Sequence, residues 1–141
     1  MSSGNSSQVE TAELLHSAAI RLLRLVRTED AQAGIGPAQL SALSVLVFGG
    51  AKTVSELAML EQVRPPTMSR IVEGLAQKKL VQRVHDAGDR RTVHVNATAK
   101  GEKLMQAGKA RRVKALAARF EALSGADLKI LHAAAQLMLR L

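Results

Sequence analysis

Apolar residues recur along this chain in two rhythms, and where the rhythm changes marks out its elements. From about residue 8 to 28, Leu15, Ala19, Leu22 and Val26 follow at steps of four, three and four, the spacing of one face of a helix. Leu14, Leu23 and Leu25 widen that face beyond what one small neighbour covers, while Arg21, Arg24 and Arg27 take the remaining surface. Two glycines and a proline in 33–37 break the helix, and Pro37 suits the first turn of the next one, which carries Leu40, Leu43, Leu46 and Val47. Gly49 and Gly50 end it. Thr53-Val54-Ser55-Glu56 fits a capping box, with the Thr53 hydroxyl accepting from the Glu56 amide and the Glu56 carboxylate reaching back. A short helix follows, then turn residues 61–63, then a helix of about 15 residues with Met68, Ile71, Val72 and Leu75 on one face.

The rhythm then changes to period two over 80–85 and 92–96. Val93 and Val95 point one way; Thr92, His94 and Asn96 point the other. Asp86-Ala87-Gly88-Asp89 supplies the turn between the two strands. Thr98 is the expected N-cap of a helix running to about Leu123, and Ser124-Gly125 separates it from a last helix. Val113, Leu116, Phe120 and Leu123 repeat the helical spacing, as do Leu128, Leu131, Ala135 and Met138.

The pattern predicts a mainly α fold with a small β-wing: a winged helix-turn-helix head over 37–97, with helical segments at 8–30 and 98–141. A disordered tail is expected over 1–7, and 8–141 reads as one domain. The terminal segments carry apolar faces wide enough to bury on two sides. Packing them against a second copy, through Leu15, Leu22, Val26, Phe120, Leu128, Leu131 and Met138, gives a two-fold homodimer. The alternative is a monomer whose long helices fold back on the head.

Composition sharpens this picture. The 141 residues are 47% hydrophobic, ample for a core, yet Phe48 and Phe120 are the only aromatics, so the core must be aliphatic. A formal charge of +8 and a pI near 10.6 point to a polyanionic partner, with nucleic acid first. The lack of cysteine excludes disulfides, thiolate catalysis, Cys-ligated zinc and a thiol peroxide sensor. Residues 1–7 have neither the basic nor the apolar region of a signal peptide. The apolar run near 43–51 falls far short of the roughly 20 residues a membrane span needs, so a cytoplasmic protein without membrane contact is expected.

In a helix-turn-helix the second helix enters the major groove with its N-terminal residues toward the base edges. Here that end presents Arg64, Pro65, Pro66, Thr67, Ser69 and Arg70, with Ser55 on the bracing helix before it. Thr67 and Ser69 suit phosphate or base edges, the prolines and the Thr67 methyl suit thymine methyls, and Arg70 suits phosphate or guanine. Lys78 and Arg83 are placed to reach the backbone. On the wing, Arg90 and Arg91 suit a narrow minor groove. Asp86 and Asp89 lie close by, so Arg91 is expected to pair internally and Arg90 to face double-stranded DNA. Each phosphate contact adds roughly 0.9 to the log–log salt slope.

Together these residues resemble the MarR family of bacterial winged-helix transcription regulators, over nearly the whole chain. The resemblance rests on Ser55-Glu56-Leu57-Ala58, on Pro65-Pro66-Thr67-Met68-Ser69-Arg70 and on Leu75 to Arg83 in the manner L-x-x-x-G-L-V-x-R. A wing like D-x-R-D-x-R and Thr98-Ala99-Lys100-Gly101 as T-x-x-G complete it. It implies a homodimer on a palindromic operator, commonly near its own gene, often a repressor released by a small-molecule effector. Three positions depart from the family. Lys79 stands where glycine is usual, so a left-handed turn there would cost about 1 kcal/mol. Gly88 replaces the first wing arginine, leaving Arg90 as its substitute. Arg64 sits where a polar cap is common.

His16, His85, His94 and His132 are too dispersed for zinc, although His85 and His94 flank the wing and an arrangement across the hairpin is open to them. Lys109, Arg111, Arg112, Lys114 and Arg119 read as the solvated side of a helix. No phosphate-binding glycine loop, activated nucleophile or apolar carboxylate pair supports an enzyme, and no cofactor is expected. The remaining alternative is an architectural or protein-binding winged helix with non-specific DNA affinity.

Overall fold

The computed structural model of the chain describes residues 3–141, with side chains from Asn5 onward. Six helices and one hairpin follow in the order α1 (Ser3–Asp30), α2 (Pro37–Gly49), α3 (Val54–Leu60), α4 (Pro65–Gln77), β1 (Val81–His85), β2 (Val93–Ala97), α5 (Ala99–Phe120) and α6 (Gly125–Met138). Ser3–Ser7 are helical, where a tail over 1–7 is expected. The Thr11 hydroxyl donates to the Ser7 carbonyl at 2.8 Å, continuing the helix backwards by a local i−4 bond. Met1 and Ser2 of that tail lie outside the described residues.

The ends of the elements follow from local chemistry. Gly34, at φ 74°, closes the 3₁₀ turn Ala31–Ala33 that continues α1. Pro37 opens α2, and Gly50, at φ 80°, ends it in a conformation open to glycine. Thr53 caps α3 with both arms of the capping box: its hydroxyl accepts from the Glu56 amide at 3.1 Å, and its own amide donates to Glu56 Oε2 at 2.9 Å. Ser124 caps α6 by accepting from the Asp127 amide.

The chain folds as two compact units. One is Asp30–Lys109; the other combines the chain up to Glu29 with Ala110–Leu141. In the first unit, the head, Ala42, Leu43 and Leu46 of α2 meet Leu57 and Ala58 of α3 and Met68, Val72 and Leu75 of α4. Leu80, Val81 and Val95 close that core from the sheet side and Met105 from α5. Every fully buried hydrophobic among the described residues lies in this unit.

The hairpin is antiparallel, with Val81 opposite Ala97 and Arg83 opposite Val95. Lys52 adds a single bridging residue beyond β2: its amide and carbonyl exchange bonds with Val95 at 3.2 and 2.7 Å. His94 lies opposite Val84 and His85 opposite Val93, so the two histidines occupy opposite faces of the sheet. A pairing of these two across the hairpin is thereby corrected. No cluster of metal-ligating side chains exists among the described residues.

The boundary between the units falls inside α5, between Lys109 and Ala110, whereas the sequence places a change of role at Thr98. Gly101, Met105 and Gly108 explain the shift: all three are buried, and Met105 completes the head core. A Cβ at Gly101 would run into the Leu80 carbonyl oxygen and press on Leu43, so only glycine lets α5 cross the start of β1 this closely. No single helix among the described residues is long and apolar enough to cross a membrane.

Candidate nucleic-acid interface

α4 is strongly amphipathic, more so than α2 or α5. Met68, Val72 and Leu75 recur at four and three residues and are fully buried, fixing one face to α2 and α3. The opposite face is left to solvent: Arg64, Pro65, Pro66, Thr67, Ser69 and Arg70 are all exposed. Arg64 is the N-cap residue, and its side chain makes no capping bond, which leaves its guanidinium free. Pro65 and Pro66 carry no N–H, so Thr67 supplies the sole amide among the first three helical positions. That is a thinner anion cradle than an ordinary helix start. Cationic and hydroxyl side chains, rather than backbone amides, dominate this end.

The turn from α3 to α4 is set by Gln62, a non-glycine residue at φ 55°. Its amide donates to the Met59 carbonyl, and the Val63 amide donates to that of Ala58. These bonds close the end of α3 and aim the chain into Arg64. Ser55, on the first turn of α3, is exposed. At the other end of α4, Lys79 adopts φ 61°, the left-handed turn that the family makes with glycine. Three contacts hold it there. The Leu80 amide donates to Leu75 O at 3.0 Å, the Thr98 hydroxyl donates to Lys79 O at 2.7 Å, and Lys100 Nζ donates to Lys78 O at 3.0 Å.

All eleven residues assigned to DNA from the sequence are exposed, but they differ in what else they hold. Lys78 Nζ donates to the Gly34 carbonyl at 3.3 Å, and Arg83 pairs with Glu73 at 3.1 Å. Both cations are engaged within the head. The sequence placed them on the DNA backbone because it contains no signal for contacts that tertiary packing creates.

The wing corrects a second expectation. Asp86 accepts from the Gly88 amide at 2.9 Å, while Asp89 accepts from the Arg91 amide at 3.0 Å and from the Thr92 hydroxyl at 3.1 Å. Both carboxylates thus shape the turn, the usual work of aspartate in a tight loop. Among the described residues neither Arg90 nor Arg91 forms an ion pair with them, so the internal salt bridge expected of Arg91 is absent. The His85 ring meets the Arg90 carbonyl through Nδ1 at 3.1 Å, so the hydrogen lies on that nitrogen. The hairpin is closed by backbone and carboxylate, and both guanidinium groups remain available.

The seven residues assigned to a dimer interface all fall in the terminal unit. Leu15, Leu22, Leu128, Leu131 and Met138 are exposed; Val26 and Phe120 are half-buried.

A capped bracing helix, a second helix with a cationic solvent face and a two-stranded hairpin define a winged helix-turn-helix DNA-binding protein. Known proteins agree. A model described as MarR family matches residues 33–92. The HTH-type transcriptional regulator Mb0904 of Mycobacterium bovis is 37% identical over 135 residues, covering 96% of this chain and 94% of its own. The HTH-type transcriptional repressor MdtR of Bacillus subtilis is 36% identical over 69 residues, 49% of this chain and 44% of its own. The transcriptional regulator Tm0710 of Thermotoga maritima superposes with a TM-score of 0.81 at 26% identity, over 92% of each chain. The chain belongs to the MarR family of transcriptional regulators.

Proposed function

We propose that this regulator is a homodimeric repressor that binds a palindromic operator, laying α4 in the major groove and the wing against adjacent backbone or minor groove. The observation that carries the reading is the exposed face of α4. There Arg64, Pro65, Pro66, Thr67, Ser69 and Arg70 stand clear of all core contacts on a helix held rigidly from behind. Ser55, Arg90 and Arg91 are the flanking contacts. Two such faces in one dimer would read half-sites about one helical turn, or a multiple of it, apart. Repression is supported by the name of the Bacillus subtilis relative, whose match covers 49% of this chain.

Release by a small molecule belongs to the same reading. With one phenylalanine in each unit, however, a single chain offers no aromatic cage for an aromatic effector. A thermal-shift screen checks for such a ligand.

The test is competition binding of the full chain between a duplex selected from a random pool and unselected duplex, at two salt concentrations. A regulator prefers the selected duplex by roughly 10³-fold or more. Equal affinities would make the protein an architectural DNA binder and sink the operator reading. Arg70→Ala is expected to weaken binding to the selected duplex by about 1–3 kcal/mol if Arg70 reads a base. Equal losses on both duplexes would reassign it to phosphate.

A further inference from the structure

Arg83 stands at a position where the strand calls for an apolar side chain. Residues paired across an antiparallel hairpin share a face, so Val81, Arg83 and His85 lie on the same side as Ala97, Val95 and Val93. Val81 and Val95 on that side are core residues, and Val95 is fully buried. An arginine between them gains nothing from burial, and it is not buried: it leaves the strand on the helix side and meets Glu73 of α4 at 3.1 Å.

Glu73 is equally out of place. It lies three residues after Arg70 and four after Ser69, one turn along the exposed face of α4 that is turned toward DNA. A bare carboxylate there opposes phosphate. It is also within one helical turn of the Arg70 guanidinium, at the spacing that favours an intrahelical ion pair.

Resting on the DNA-binding reading above, we propose that Arg83 is a positioning residue rather than a phosphate ligand. By holding the Glu73 carboxylate it masks a negative charge beside the groove and leaves Arg70 free for DNA.

The two roles separate in a mutant cycle on the full chain, read by fluorescence anisotropy on a duplex selected from a random pool by the unaltered protein. Arg83→Gln should weaken binding at least threefold, with the slope of log affinity against log salt unchanged. Arg83→Gln combined with Glu73→Gln should restore affinity to within about twofold of the unaltered protein, because no carboxylate then remains to be held. Glu73→Gln alone should bind as well as the unaltered protein or better. Melting temperatures serve as the control for folding, and all four proteins should stay within a few degrees, as expected for an exposed pair. A phosphate ligand behaves otherwise: the slope falls by about 0.9 in Arg83→Gln, and the double variant recovers nothing. That result overturns the proposal, as does an Arg83→Gln variant that binds normally. Failure of the unaltered protein to bind any duplex is a different outcome; it sinks the DNA-binding reading itself.

Discussion

The two units of this chain use similar amounts of aliphatic side chain to opposite ends. The head closes on itself: twelve hydrophobics from α2, α3, α4, the hairpin and the start of α5 form one core, with no polar side chain buried among them. The terminal unit has no fully buried residue among those described. Of the nineteen large hydrophobics left exposed among the described residues, fifteen fall in it and four, Phe48, Met59, Leu60 and Val84, in the head. Exposed apolar surface on this scale is rare in a monomer and marks a surface that awaits a partner. A head that closes on itself, together with terminal helices that leave apolar side chains uncovered, is the arrangement that the proposed DNA-reading dimer requires.

Each side of that contrast can be broken separately. The largest effect should come from the head core. Leu57→Ala removes a fully buried side chain from the α3–α4 contact and should lower unfolding free energy by about 2–5 kcal/mol in urea denaturation. A loss below about 1 kcal/mol would mean that the core is looser than its burial implies. Next is the terminal face. Leu131→Asp should convert the proposed dimer to monomer in sedimentation velocity, with a cost to association of about 2 kcal/mol or more. A dimer that survives the change would move the interface elsewhere. The smallest concerns strain inside the head. Lys79→Gly should stabilise the protein by about 1 kcal/mol, because glycine holds φ 61° without a Cβ clash. No gain in melting temperature would show that φ 61° carries little strain for lysine at this turn.

Much of the head was legible because its signals are local. The Thr53–Glu56 capping box, the prolines that open α2 and α4, the four-and-three spacing of Met68, Val72 and Leu75, and the Asp-Gly turn of the wing each need only a few consecutive residues. The left-handed turn at Lys79 was legible through the family pattern, which has glycine there. What stayed hidden depends on residues distant in sequence. Lys78 reaching Gly34, Arg83 reaching Glu73, and α5 entering the head through Gly101 and Met105 are products of packing. The wing failed for a different reason. Charge proximity suggested an arginine–aspartate pair, but the carboxylates were already taken by backbone amides two residues on and by Thr92, bonds that a tight loop forms first.

The scarcity of rings gives the molecule a built-in pair of reporters. Phe48 lies in the head, half exposed with the Lys109 ammonium 5.9 Å from its centroid, and Phe120 lies in the terminal unit. Fluorine-labelled phenylalanine would therefore give one resonance per unit against an empty spectral background. With no tryptophan or tyrosine to interfere, a single engineered indole would report on whichever half it was placed in. The proposed self-association and duplex engagement would thus be followed as two separate signals in one tube.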